Sequence, residues 1–219
     1  DRTDAVLSTL DFTPCKCITG VSVCRDELCT SVYSDCAEYW GQPFALGGLV
    51  GFPSLGAGGM GAFLHHSPLK GNKRRVVIYA FAHIAHGDWS REHCQEPANA
   101  CGALITLKKL LASRRAPTTF QLNDPEFSLL SVQMLRKITQ PSSYDLSNLT
   151  EVAHSIIVES FTNLVAHSSF AGADIAIITG IQVHRHPDVH FIQPKTFRVF
   201  TEGVWSDHSI PASSSHRRS

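Results

Sequence analysis

No sign of charge prevails in this 219-residue chain, where 19 Lys and Arg are matched by 19 Asp and Glu. A protein built to hold nucleic acid or an anionic membrane surface needs a basic excess, so neither is expected as a partner. No apolar run is long enough to span a bilayer. Internal repeats, domain linkers and an amino-terminal signal segment are also missing. The chain opens on Asp1 rather than Met and is read as a trimmed or mature form that has lost any targeting peptide. Nor is there an even set of cysteines: the seven are too few and too scattered for a small disulfide scaffold. Reduced thiols in an intracellular or organelle compartment are expected, some of them able to bind metal. What is present is a 43% hydrophobic content, enough for one domain with a sizeable core, and twelve histidines that gather rather than scatter.

Four segments read as strands: 18–23, 74–84, 174–184 and, as an antiparallel partner of the third, 191–200. Helical patterns cover about 26–40, 99–115, 125–138 and 147–167, the third opening on Asp124-Pro125. The glycine-dense stretch 41–61 reads as a compact loop. The tail from Ser206 has too little apolar content to pack and is expected to fray, leaving 1–205 as the domain. Strands alternating with helices predict a single α/β domain whose ligands gather at the carboxyl ends of strands.

Two predicted strands end on metal-ligand types, Cys24 and His83, and a predicted helix begins with a third, Cys101. Short C-x-x-C knuckles mark structural zinc ribbons, whereas donors drawn from separate elements need a preformed fold. Two Cys and one His leave a fourth tetrahedral position for water, the arrangement of a catalytic zinc. The plain alternative is two buried thiols and a hydrogen-bonded core histidine. Beside Cys24 stand Arg25 and Asp26. An ion pair between them would keep the carboxylate ionised and able to accept a hydrogen bond from zinc-bound hydroxide.

Several stretches together carry a resemblance: "CRDEL", "WGQPFALGGLVGFPSLGAGGMGAFLHH", "YAFAHI", "ACGAL" and "ADIAIITGIQVH". In this order, over about residues 18–200, they resemble the limiting-CO2-inducible B and C protein family of algae, related to the θ-class carbonic anhydrases. The resemblance implies an α/β fold like that of the β-class carbonic anhydrases, a mixed sheet flanked by helices. It implies zinc on Cys24, His83 and Cys101, with Asp26 and Arg25 as the catalytic carboxylate and its partner. It further implies reversible hydration of CO2 to bicarbonate by zinc hydroxide in a CO2-concentrating mechanism, a plastid location, and a homodimer or a hetero-oligomer with a paralogue. A catalytically silent zinc subunit of a CO2-recapture complex is the alternative, and a thiol redox protein using Cys24 and Cys101 a second rival. Departures from the family pattern are Ala85 where glycine is usual, the bulky His86, Trp89 and His93, and His184 where asparagine is usual.

CO2 hydration must export a proton at each turnover, and histidine titrates in the right range, so His65 or His66 is a candidate shuttle. An apolar CO2 niche floored by Phe44, Leu46 and the glycine-rich loop is expected. "GAGGMG", 56–61, matches a dinucleotide fingerprint, but Pro53-Ser54 breaks the strand it needs and Arg75 stands where the acid should be. Close backbone packing explains its glycines better. His184, His186 and His190 are read as a solvated histidine-rich turn. Cys29 and Cys36 are read as redox-sensitive residues on the first long helix, and "KGNKRR", 70–75, as an exposed, solvated turn.

Overall fold

The β-branched run Ile18 to Val23 and the longer runs after Lys73 and Ala173 are apolar on both faces, as strands covered on two sides must be. They form β1 (Cys17–Ser22), β4 (Lys73–Ala85) and β5 (Ala173–Arg185), which pair parallel in the order β1-β4-β5. Beyond β1 lies β2 (Phe44–Ala45), also parallel. Beyond β5, β6 (Val189–Thr201) and β7 (Val204–Asp207) add antiparallel, and β3 (Leu69–Lys70) forms a hairpin with the start of β4. The result is one seven-stranded mixed sheet. The computed structural model describes residues 2–85, 101–139, 144–167, 170, 172–185 and 189–210. His86, Trp89, His93, Cys94 and His186 lie outside these, as do residues 211–219 of the tail.

Among the described residues six helices flank the sheet: α1 (Arg2–Thr9), α2 (Ser31–Trp40), α3 (Gly56–His66), α4 (Gly102–Ala112), α5 (Pro125–Lys137) and α6 (Leu146–Val165). The long α6 packs on β4 and β5, burying Leu149, Ala153, Ile156, Ile157 and Phe161 at helical spacing. On the other face Trp40 of α2 and Asp4 of α1 converge on Tyr79: Trp40 Nε1 donates to the Tyr79 hydroxyl, which donates to Asp4 Oδ1. From β1 the chain winds to β2 on one side and then returns past β1 to β4 on the other. The order therefore reverses between β1 and β4, and the crevice at their carboxyl ends is where an α/β sheet takes its ligand.

Three sequence readings change. The glycine-dense 41–61 is not all loop: it contains β2, a 3-10 turn at Leu49–Gly51, and the first residues of α3. Buried Met60, Phe63 and Leu64 anchor that helix despite its glycines, because packing outweighs intrinsic propensity. The helix expected from residue 26 is a 3-10 turn, Glu27–Cys29, followed by α2. Ser206 and Asp207 are not frayed but pair with β6, where Arg198 stacks over Trp205 at 4.6 Å.

"KGNKRR" is likewise more than a solvated turn. Arg75 Nε lies 3.4 Å and Lys73 Nζ 3.5 Å from the buried carboxylate of Asp174, and Arg75 also meets Asp11 at 3.2 Å. Arg75 and Asp174 are register partners at the starts of β4 and β5, so this cluster pins the two central strands. Removing Asp174 takes the buried partner from both cations and, among the described residues, leaves Arg75 only Asp11 and Lys73 only the exposed Glu202. Asp174→Ala is expected to lower unfolding free energy by about 3 kcal/mol in urea titration. A loss below about 0.5 kcal/mol would show that the cluster behaves as an ordinary surface pair.

Candidate metal centre

Cys24 follows the end of β1 by two residues, His83 lies near the end of β4, and Cys101 is the residue from which α4 starts. All three are buried, and their ligand atoms lie within 4.8 Å of one another. The two sulfurs are 3.9 Å apart. Two thiolates bound about 2.3 Å from one tetrahedral ion would sit about 3.8 Å apart, so this spacing suits a shared zinc. His83 is fully buried, and its Nε2 has no hydrogen-bond partner among the described residues. An unpaired nitrogen in a dry interior is costly unless something electrophilic faces it. Two sulfurs and one imidazole nitrogen make a borderline-soft donor set, which fits zinc.

Local backbone supplies the remaining stabilisation. Val50 N–H donates to Cys24 Sγ at 3.3 Å. To do so, Val50 adopts φ 62°, an unusual conformation for a β-branched residue. Next to it Gly51 has φ +87° and lies so close to β4 that a Cβ would stand 2.3 Å from Phe81 O. Ser22 Oγ–H donates to Gly51 O at 2.8 Å and ties this turn to β1. The hydrogen bond from the Cys101 thiol holds Cys24 as the thiolate, well below the ordinary thiol range; His83 and the Asp26 N–H act in the same direction, against the effect of burial. The same hydrogen bond, with burial, keeps Cys101 protonated, while the Ala103 and Leu104 amides at the start of α4 favour its ionisation.

The expected ion pair between Arg25 and Asp26 does not form. Arg25 is exposed, and its guanidinium bonds Glu126 Oε1 of α5 instead. Asp26 is half-buried and turns inward along the chain, its Oδ1 accepting the Leu28 N–H at 3.1 Å to cap the 3-10 turn. Adjacent residues on an extended backbone point their side chains apart, which is why adjacency misled.

His66 is also not where a shuttle would stand. It ends α3, and the next residue, Ser67, donates its hydroxyl to Arg75 O. Arg75 and His83 are separated by about 26 Å of strand, so His66 lies toward the opposite end of the sheet. Phe44 packs its ring on Phe63 and His66 of α3, 5.5 Å from each.

The histidine that does reach the centre is His184, buried rather than solvated. Its Nε2 is 3.1 Å from His83 Nδ1 and 3.8 Å from Cys29 Sγ. Burial, together with the facing His83 and His190, pushes His184 down to about 4. Burial also holds Cys29 firmly as the thiol. The sequence carried a signal for this: Gln182 and His184 are polar at alternate positions of an otherwise apolar strand and share a face with His83. Glu126 had no such signal, since its pairing joins residues a hundred positions apart.

Residues 1–201 match the family model described as limiting CO2-inducible proteins B/C beta carbonic anhydrases. The crystal structure of the limiting CO2-inducible protein LCIB superimposes with a TM-score of 0.77 at 28% identity, covering 96% of this chain and 91% of that one. The homologue PtLCIB4 gives a TM-score of 0.77 at 20% identity, covering 94% and 91%. A histidine-to-alanine mutant of that homologue gives 0.78 at 20%, covering 95% and 90%. No curated protein searched gave a match. On the strength of the match over residues 1–201, this chain belongs to the limiting CO2-inducible protein B/C family of β-carbonic anhydrases.

Proposed function

We propose that the chain is a zinc-dependent carbonic anhydrase that interconverts CO2 and bicarbonate. The observation that carries this reading is the convergence of two sulfurs 3.9 Å apart with the buried Nε2 of His83, which has no hydrogen-bond partner among the described residues, at the crevice between β1 and β4. Cys24, Cys101 and His83 would hold the ion, and the two sulfurs as thiolates would neutralise it. When bound, zinc supplies the Lewis acidity that makes water a nucleophile near neutral pH. Three protein donors leave one position of a tetrahedron open, and substrate chemistry needs that position.

Asp26 is the proposed catalytic carboxylate. Its Oδ1 is committed to Leu28 N–H, which fixes the group and leaves Oδ2 to accept a hydrogen from the attacking water. That contact would aim the water's lone pair at the substrate carbon, and the proton lost on forming bicarbonate would pass to buffer. Arg25 is proposed to act at a distance, fastening α5 to the rim through Glu126. In keeping with the family, the proposed setting is a plastid, and the proposed assembly a homodimer or a pairing with a paralogue.

Cys101→Ala is expected to abolish stoichiometric zinc after dialysis, read by elemental analysis. Full retention at unchanged affinity would remove Cys101 from the ligand set. Asp26→Asn should keep its zinc yet lose at least about a hundredfold in kcat/KM for CO2 hydration by stopped flow. Unchanged catalysis would exclude Asp26 from the chemistry, while zinc-loaded wild type without any hydration would favour the silent-subunit reading. The Arg25–Glu126 pair is largely exposed on the arginine side, so a double-mutant cycle should give a stability coupling under about 1 kcal/mol. In catalysis, losses from Arg25→Ala and Asp26→Asn should multiply. A double variant no worse than the worse single would restore a direct dyad.

A further inference from the structure

The described residues contain a second group of buried donors that shares His83 with the first: Cys29, His83 and His184, with ligand atoms within 4.8 Å of one another. Two chemistries compete for it. A second cation could sit among these atoms, or they could be joined by hydrogen bonds. The His83 Nδ1 to His184 Nε2 distance, 3.1 Å, is an ordinary hydrogen-bond length. An imidazole that gives its Nε2 to a metal keeps its proton on Nδ1 and needs an acceptor there. Seating a cation on Nδ1 instead would strip that proton, which a neutral imidazole does not readily give up.

The register explains why His184 stands at His83 Nδ1. His83 pairs across the sheet with Gln182, and Ala85 pairs with His184. Gln182 lies beside His83, but its amide nitrogen donates to Leu28 O and its Oε1, the atom able to accept, has no hydrogen-bond partner among the described residues, so it does not take the His83 proton. Opposite the small Ala85, the His184 ring is free to lean back to its diagonal neighbour, meeting His83 edge-on with ring centroids 5.2 Å apart and planes at 79°. Cys29 Sγ, held as a thiol, lies 3.8 Å away and is able to offer a second hydrogen to the same Nε2. A nitrogen facing two donors presents its lone pair.

We propose that His184 is a positioning residue for the metal centre: its Nε2 accepts the Nδ1–H of His83 and fixes the tautomer that leaves His83 Nε2 bare toward Cys24 and Cys101. The proposal rests on the zinc reading above. Partners of this kind commonly govern metal affinity by about 10- to 100-fold when removed.

The test uses the full chain, measuring zinc affinity by chelator competition and His83 ring protonation by long-range proton–nitrogen NMR. His184→Leu should weaken zinc about 10- to 100-fold, and His184→Gln, whose amide oxygen can stand near the lost Nε2, should recover most of it. A packing role alone would not distinguish Gln from Leu in this way. In wild type, His83 should carry its proton on Nδ1, a result that stands even if the Leu variant does not fold. Equal affinities in wild type and the Leu variant would overturn the role of His184 while leaving the zinc centre intact. So would equal losses in Leu and Gln, or a proton on Nε2 of metal-free His83. Two zinc ions per wild-type chain, falling to one in His184→Leu, would replace the hydrogen bond with a second metal seat. No tight zinc in wild type would instead strike the metal centre itself.

Discussion

Two sulfurs held 3.9 Å apart in a dry interior cannot both be ionised unless a cation lies between them. Much of this structure follows from that constraint. The hydrogen bond between them pushes Cys24 toward the thiolate and, with burial, Cys101 toward the thiol. A buried charge needs donors, and Val50 N–H is brought to it through a left-handed valine backbone that costs about 1–3 kcal/mol. The strain is tolerated because packing on both sides fixes the turn. Gly51 is pressed against Phe81 O of β4, and Ser22 of β1 bonds its carbonyl.

The sheet supplies the rest of the geometry. β1 and β4 end side by side at the point where strand order reverses, so each can deliver one donor to the same crevice. The third donor arrives with the start of α4, whose first amides lie against Cys101. β5 then stands behind β4 with His184 at His83, and the Asp174–Arg75 cluster locks those two strands at their opposite ends. The same strands therefore separate two kinds of group: ion pairing at the amino ends, candidate metal donors at the carboxyl ends.

The sheet's parallel core was legible in the sequence because its strands are apolar on both faces, and Cys101 was legible as the opening of a helical pattern. The three candidate ligands that the fold brings together could be named because donor types sat at the ends of predicted elements. Side-chain partnerships were less accessible. Arg25 was matched to its neighbour Asp26, yet an extended backbone sends neighbours apart and the guanidinium found Glu126. His66 has the chemistry of a shuttle but ends α3 toward the far end of the sheet, a placement its local sequence does not carry. His184 was read as solvated because its strand continues into a polar turn; only the register across from Ala85 shows that it is buried against His83. "GAGGMG" became helix because Met60 and Phe63 find a core that composition does not reveal.

X-ray absorption at the zinc edge of the loaded protein reads the donor set most directly. Cys24, Cys101 and His83 predict two sulfurs at about 2.3 Å and nitrogen or oxygen donors at about 2.0–2.1 Å, one of them carrying the multiple-scattering signature of imidazole. A shell of four sulfurs, or one with no sulfur at all, would contradict a centre built from two cysteines and a histidine.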